Sequence, residues 1–122
     1  MITKIACGCV ALLALLPARV SSQDMTDMTW HMRNNTSYHV GISFYSQVRS
    51  GEWPGNGKAY ELSGYERHGY TLRCVRGEDI CYGAWVVGHN TTYWGSGVDD
   101  DQYCSNCCSK CGDGDQEVTL DK

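Results

Sequence analysis

Four cysteines fall within eight residues near the C-terminal end of the chain, in the order Cys-x2-Cys-Cys-x2-Cys, and four more lie upstream. Cys7 and Cys9 lie near the N-terminus, and the other six are Cys74, Cys81, Cys104, Cys107, Cys108 and Cys111. In a reducing cytosol such a cluster indicates metal binding, whereas in an oxidising compartment it indicates disulfides. The compartment therefore decides what these thiols do, and it limits the folds that they permit.

The first residues of the chain have the layout of a secretory signal peptide. An apolar run over 5–16 follows a basic residue, and Val20 and Ser22 suit the positions before a cleavage site. Twelve apolar residues are too few for a membrane span, which needs about 20. We therefore predict a signal peptide over 1–22, one domain over 23–122, a periplasmic or secreted location and no membrane span.

The predicted mature domain is acidic and poor in aliphatic residues. Its eight Lys or Arg and fourteen Asp or Glu give a formal charge of −6. This charge opposes binding to nucleic acids and to anionic membranes, which both require a basic face. Leu, Ile, Val and Phe together supply only 13 of its 100 residues, so four Trp, eight Tyr and six Cys must replace the missing core and stabilise the fold.

Alternation of apolar and polar residues predicts strands, and no segment has a convincing helical period. The clearest strand covers 38–45, and the polar segment over 23–34 is expected to be a leader into it. Further strands are predicted at 60–62, 70–75, 80–87, 91–94 and 117–120, and the Gly- and Pro-rich segment 50–57 is expected to be a loop. We predict an all-β domain, a small antiparallel β-sandwich or open barrel stapled by disulfides.

The pairing of the cysteines is only partly predictable. A two-residue turn at Gly77 and Glu78 would place Cys74 opposite Cys81 in a hairpin, at a separation that a disulfide spans. The remaining four thiols would then pair as 104–107 with 108–111, or as 104–108 with 107–111, or as 104–111 with a partner from elsewhere. Six cysteines allow about 15 connectivities, and the sequence does not choose among them.

Two other uses of the cluster remain as alternatives. A thiolate zinc or copper site could recruit His31 or His89, although structural zinc sites normally place their ligand pairs on either side of a longer loop. Thiol–disulfide exchange is a further alternative, but an active Cys-x-x-Cys pair normally opens a helix, and here Gly and Asp residues follow at once. We expect structural disulfides.

Exposed aromatic side chains are the candidate binding residues. We single out Trp53, Tyr93 and Trp94, because aromatic faces near loops stack on sugars or anchor protein partners. Trp85 is expected in the core. The carboxylates at 99–101 and 113–117 are typical of solvated acidic turns or a loose calcium loop, since Val118 stands where an EF-hand needs Gly. No catalytic motif, metal site or cofactor site is predicted, and we do not expect an enzyme.

Several segments together resemble a group of small exported bacterial proteins of unknown function. They are Tyr45-Ser46-Gln47, Trp53-Pro54-Gly55, Cys74 with Gly77-Glu78, Ile80-Cys81-Tyr82-Gly83-Ala84-Trp85, Tyr93-Trp94-Gly95 and the cysteine cluster. The resemblance implies export and a single domain, and it brings no activity. Our functional expectation is an exported, disulfide-stabilised binding module for a protein or carbohydrate ligand; a thiolate metal-binding protein of the cell envelope is the alternative, and a thiol–disulfide oxidoreductase the third choice.

Overall fold

The computed structural model describes residues 24–96, 104 and 106–122, and this part of the chain folds into nine strands without a helix. The strands are β1 (Met25–Asn34), β2 (Val40–Ser46), β3 (Glu52–Trp53), β4 (Tyr60–Leu62), β5 (Arg67–Val75), β6 (Asp79–Val86), β7 (His89–Gly95), β8 (Cys108–Lys110) and β9 (Gln116–Leu120). They form two sheets packed as a sandwich, which confirms the predicted all-β class.

The smaller sheet has three strands in the order β5-β1-β9. Its central strand, β1, pairs antiparallel with β5 and parallel with β9. The expectation of a leader over 23–34 is therefore wrong. Met28, Trp30 and Met32 alternate with polar residues and are buried, which is the pattern of a strand with one face in the core.

The larger sheet has six strands and is built around β2 and β6, which pair antiparallel. The short strands β3 and β4 both pair with the outer edge of β2, while β7 and β8 both pair with the outer edge of β6. The segment 50–57, expected to be a loop, thus contributes the two-residue strand β3. Among the described residues, no helix is long and apolar enough to cross a membrane.

Aromatic side chains fill much of the space between the sheets, as the composition predicted. The indole of Trp30 lies 5.3 Å from the ring of Phe44 and 6.0 Å from that of Tyr82, measured between centroids. Aliphatic and methionine side chains complete the cluster, including Met28, Met32, Val40, Ile42, Leu62, Leu72, Ile80 and Leu120. A core this rich in large rings compensates for the low aliphatic content, because each ring buries about 150–250 Å².

The predicted Cys74–Cys81 disulfide is wrong. Gly77 does adopt a positive φ of 88°, and the Glu78 amide donates to the Val75 carbonyl at 2.9 Å, so a tight turn forms around Arg76 and Gly77, one residue before the predicted position. However, this turn carries the chain from β5 in the small sheet to β6 in the large sheet instead of closing a hairpin. The two cysteines therefore belong to different sheets and do not lie opposite each other.

Instead, the six cysteines form the pairs Cys74–Cys111, Cys81–Cys108 and Cys104–Cys107. The first pair joins β5 to the residue after β8, and the second joins opposed residues of β6 and β8. The backbone supports the same arrangement, since the Gly77 amide donates to the Cys111 carbonyl and the Cys111 amide donates to the Glu78 carbonyl, both at 2.8 Å. The cluster therefore joins the C-terminal segment to both sheets.

Candidate functional site

A pocket of about 310 Å³ opens on one side of the sandwich, between β4 and β5. Each of these strands lies at an edge, β4 on the large sheet and β5 on the small one, so no further strand of the described chain covers the gap between them. The lining residues are Tyr60, Glu61, Leu62, Glu66, Arg67, His68 and Tyr70. The pocket thus combines aromatic rings with charged side chains of both signs.

A row of rings forms the apolar part of this pocket. Tyr60 and Tyr70 lie 4.5 Å apart between ring centroids, and His68 lies 4.7 Å from Tyr70. Both tyrosine rings also contact Phe44 of the core, at 6.0 and 6.2 Å. Because the row rests on a buried ring, its position is fixed by the packing of the sandwich.

The turn between β4 and β5 is held in shape by hydrogen bonds. The Ser63 amide donates to the Glu66 Oε1 atom at 3.0 Å, and the Tyr65 amide donates to the Thr36 carbonyl at 3.0 Å. Gly64 packs so closely on the Ser37 backbone that an added Cβ would lie 2.9 Å from the Ser37 carbonyl oxygen. These contacts place Glu66 at the pocket.

Tyr65, in the same turn, has a φ of 62° and is 68% exposed. A positive φ is unusual for a bulky residue and costs of order 1–3 kcal/mol unless surrounding contacts impose it. The hydrogen bond from the Tyr65 amide to the Thr36 carbonyl supplies one such contact. The turn therefore presents an aromatic side chain to solvent beside the pocket residue Glu66.

The polar groups of the pocket include donors and acceptors at neutral pH. Burial, followed by the charge of Glu66 and the neighbouring Tyr60, raises the pKa of the Tyr70 phenol to about 12. Burial also raises the pKa of Tyr60, so both hydroxyls stay protonated. The Glu61 Oε1 atom lies 2.6 Å from the Nε2 atom of His39, which leaves its second oxygen directed away from that bond. Carboxylates accept hydrogen bonds, and Arg67 donates them.

The aromatic residues predicted to bind lie elsewhere and are not brought together. Trp53 is on β3 and Trp94 is on β7, at opposite edges of the large sheet. Both are partly buried against the core, and their indole N–H groups donate to the carbonyls of Arg73 (3.1 Å) and Asp121 (2.7 Å). Both indoles thus have a structural role.

Tyr93 lies on the other face of β7 from Trp94, and its ring stacks with that of Trp85 at 6.2 Å between centroids. Trp85, expected in the core, is only partly buried and extends over Gly41 on the outer face of the large sheet, where a Cβ on Gly41 would lie 2.7 Å from the indole. Gly41 therefore makes room for Trp85 outside the core.

A second pocket, of about 320 Å³, surrounds the turn between β5 and β6. Its central group is the buried carboxylate of Glu78, whose Oε1 atom accepts from the Arg49 Nη2 atom at 3.1 Å and from the Val75 amide at 2.9 Å. Burial alone would raise the pKa of Glu78, but hydrogen bonds from Arg49, Ser46 and Val75 and the Arg49 charge outweigh it and lower the pKa. These bonds fasten the turn, so we assign this group to stability.

The cysteines offer no thiolate in this structure, because all six of the described part are disulfide-bonded. Within 24–96, 104 and 106–122, no group of three or more His, Cys, Asp and Glu side chains is arranged to hold a metal ion. His31 is hydrogen-bonded to Asp115 at 3.2 Å instead. The carboxylates at 99–101 lie outside the described residues.

Comparison with protein families, with curated proteins and with solved structures returns no match to the chain. The site must therefore be interpreted from its own chemistry. In the sequence, the pocket residues are recognisable only as parts of predicted strands and turns. The composition of the segment 60–70 is nevertheless typical of a binding site, since it holds three Tyr, two Glu, one Arg and one His. These residues form a pocket only because β4 and β5 belong to different sheets.

Proposed function

We propose that this protein is an exported, disulfide-stabilised binding module and that its ligand is a saccharide bound in the pocket between β4 and β5. The observation that carries the proposal is the composition of that pocket, in which a row of rings lies beside carboxylates, phenols and a guanidinium group. The predicted signal peptide and the three disulfides support an oxidising location outside the cytosol.

Saccharides match this combination for two reasons. Each sugar hydroxyl both donates and accepts, so it pairs with acceptors such as Glu61 and Glu66 and with donors such as Arg67. The C–H face of a sugar ring packs on aromatic side chains, and Tyr60 and His68 are the ring residues of the pocket that remain partly or largely exposed. A purely cationic ligand fits less well, because it would leave the Tyr60 phenol and the Arg67 guanidinium group without an acceptor.

The proposal is tested by screening the mature protein, with its disulfides intact, against immobilised glycans and then measuring affinity by titration calorimetry. We expect His68→Ala and Tyr60→Phe each to weaken the best saccharide about tenfold, the effect of losing about 1.4 kcal/mol of contact. His89→Ala is the matched control, since His89 is exposed on β7, away from the pocket.

Two outcomes would refute this function. One is binding of a choline-type cation without binding of any saccharide, which would identify the rings as a cation site. The other is saccharide binding that His68→Ala and Tyr60→Phe leave unchanged, which would place the ligand elsewhere on the molecule.

A further inference from the structure

Two arginines differ from the other arginines of the described chain in having no acidic partner. Arg49, Arg73 and Arg76 each form an ion pair with a carboxylate. Arg33 and Arg67 form none with the residues of 24–96, 104 and 106–122, and both are exposed. The lack of a carboxylate partner at both positions requires a physical reason, because Arg33 and Arg67 are neighbours in the small sheet.

The neighbours face each other across the small sheet. In the antiparallel register of β1 and β5, Arg33 lies directly opposite Arg67. Side chains opposite each other have Cβ atoms about 4.5–5.5 Å apart, and like charges in that position destabilise a sheet. The ladder thus contains an unfavourable pair at its last row.

The other rows on this outer face are complementary. Asp27 and Arg73 form an ion pair at 3.6 Å, and the Thr29 and Thr71 hydroxyls are hydrogen-bonded at 2.9 Å. In the third row, the ring of His31 lies over Gly69, where an added Cβ would lie 3.1 Å from the His31 Nδ1 atom. Only the last row, that of the two arginines, opposes like charges.

The surroundings of this row indicate what would offset the repulsion. On the neighbouring strand β9, Thr119 lies beside Arg33 and offers a hydroxyl donor, while the nearest acid of that strand, Glu117, lies one row away beside His31. On the other side, Arg67 lines the saccharide pocket. Arg67 at the pocket is thus followed across the small sheet by Arg33 and then by Thr119. Guanidinium groups bind carboxylate and sulfate in bidentate geometry.

We propose that Arg33 and Arg67 form an anion subsite, so that the ligand is an acidic saccharide whose carboxylate or sulfate group binds both arginines while its ring occupies the pocket. This inference rests on the proposed saccharide function and adds the charge of the ligand to it. The anion neutralises the repulsion between the two arginines, so the unfavourable row becomes favourable only in the complex.

The test compares a uronic-acid oligosaccharide, its carboxyl-reduced neutral form and a sulfated oligosaccharide of the same length, by titration calorimetry on the mature protein. We expect Arg33→Gln to weaken binding of the acidic ligands about tenfold and to leave the neutral form unchanged, because Arg33 does not line the pocket. Arg73→Gln is the matched control, since Arg73 is exposed on the same face of the same sheet but pairs with Asp27. Affinity for the acidic ligands should also fall with added salt.

A second measurement needs no saccharide. Inorganic sulfate should raise the melting temperature of the wild-type protein above that in sodium chloride of equal ionic strength, and Arg33→Gln should reduce this difference. Sulfate also stabilises folded proteins by exclusion from their surface, so Arg73→Gln, which should keep the full difference, is the control. Equal affinities for acidic and neutral forms, unaffected by Arg33→Gln, would overturn the anion subsite and leave the saccharide function standing. A sulfate effect as large in Arg33→Gln as in the wild type and in Arg73→Gln would also overturn it, whereas failure of every saccharide to bind would overturn the function itself.

Discussion

Replacing Asn34 by Ala should cost more stability than most single substitutions in this protein. The Asn34 side chain is fully buried at the end of β1. Its Nδ2 group donates to the carbonyls of Tyr38 (2.7 Å), Leu62 (3.3 Å) and Ser63 (3.0 Å). Its Oδ1 atom accepts from the Thr36 amide (3.0 Å) and the Thr36 hydroxyl (2.6 Å). One amide group therefore joins the end of β1, the loop before β2 and the end of β4.

The magnitude follows from these bonds. An amide has two N–H donors, so two of the three carbonyls share one of them, and about four full hydrogen bonds are lost in Asn34→Ala. At about 1 kcal/mol each, with an added penalty for buried groups left unpaired, we expect the free energy of unfolding to fall by about 3–5 kcal/mol. That is a large fraction of the roughly 5–15 kcal/mol that stabilises a typical domain.

The assay is urea unfolding of the mature protein with its disulfides intact, followed by tryptophan fluorescence. Asn35→Ala is the control, because Asn35 is exposed and its side-chain amide donates to the exposed Asp121 carboxylate at 2.7 Å. This variant should lose less than about 1 kcal/mol, since the bond from the Asn35 backbone amide to the Leu120 carbonyl is kept. A loss in Asn34→Ala that equals the control, or that stays below about 1.5 kcal/mol with an unchanged denaturant slope, would refute the reasoning.

Three further predictions concern charge and cross-links. Glu78→Gln should lower the free energy of unfolding by about 2 kcal/mol at neutral pH by weakening the charged hydrogen bonds of this side chain. Because the pKa of Glu78 is lowered in the folded state, this contribution exists above the ordinary pKa of about 4.3 and is lost as pH falls. The urea unfolding midpoints of the wild type and of Glu78→Gln should therefore converge in acid. Tyr70→Phe should remove one absorbance transition near pH 12, because the pKa of the Tyr70 phenol is raised to about 12. The wild type should lose stability as pH rises from about 10 towards 12, and this loss should be smaller in Tyr70→Phe. An absorbance titration curve that is the same in both proteins would contradict the burial of the Tyr70 phenol. Replacing Cys74 and Cys111 by Ala should cost about 3 kcal/mol, because with Cys81–Cys108 intact their bond closes a further loop of about 12 residues; a cost below 1 kcal/mol would show that this bond adds little to the other.

The sequence predicts the positions of the strands better than it predicts which strands pair with each other. Strong alternation, as in β2 and β5, reports only which faces are buried, and it was sufficient for the fold class. Alternation of Met28, Trp30 and Met32 is also present in the sequence, but Met has little preference for strands and fills either element, so β1 was missed. The turn at Gly77 was located to within one residue, yet its sequence is compatible both with a hairpin and with a corner between sheets.

The candidate site was less predictable, because it depends on whether consecutive strands form a hairpin or belong to different sheets. Tyr60 and Tyr70 are ten positions apart, and they meet only because β4 joins the large sheet while β5 joins the small one. The predicted binding residues Trp53 and Trp94 are conspicuous in sequence, but their indole N–H groups are used by backbone carbonyls. A scarcity of aliphatic residues makes such rings necessary for the core, so an aromatic residue in this chain is weak support for binding.

The positions of the cross-links and of the pocket give the sandwich two different ends. Cys74 lies near the end of β5 and Cys81 near the start of β6, so the disulfides Cys74–Cys111 and Cys81–Cys108 secure the end at which these strands meet. The pocket lies at the opposite end of β5, where Asn34 and the Tyr65 turn hold the chain through hydrogen bonds. Covalent bonds at one end stabilise the whole domain without restricting side chains at the other. The end without disulfides is therefore where a binding site can be built from edge strands and a turn, and there the ladder ends in two opposed arginines.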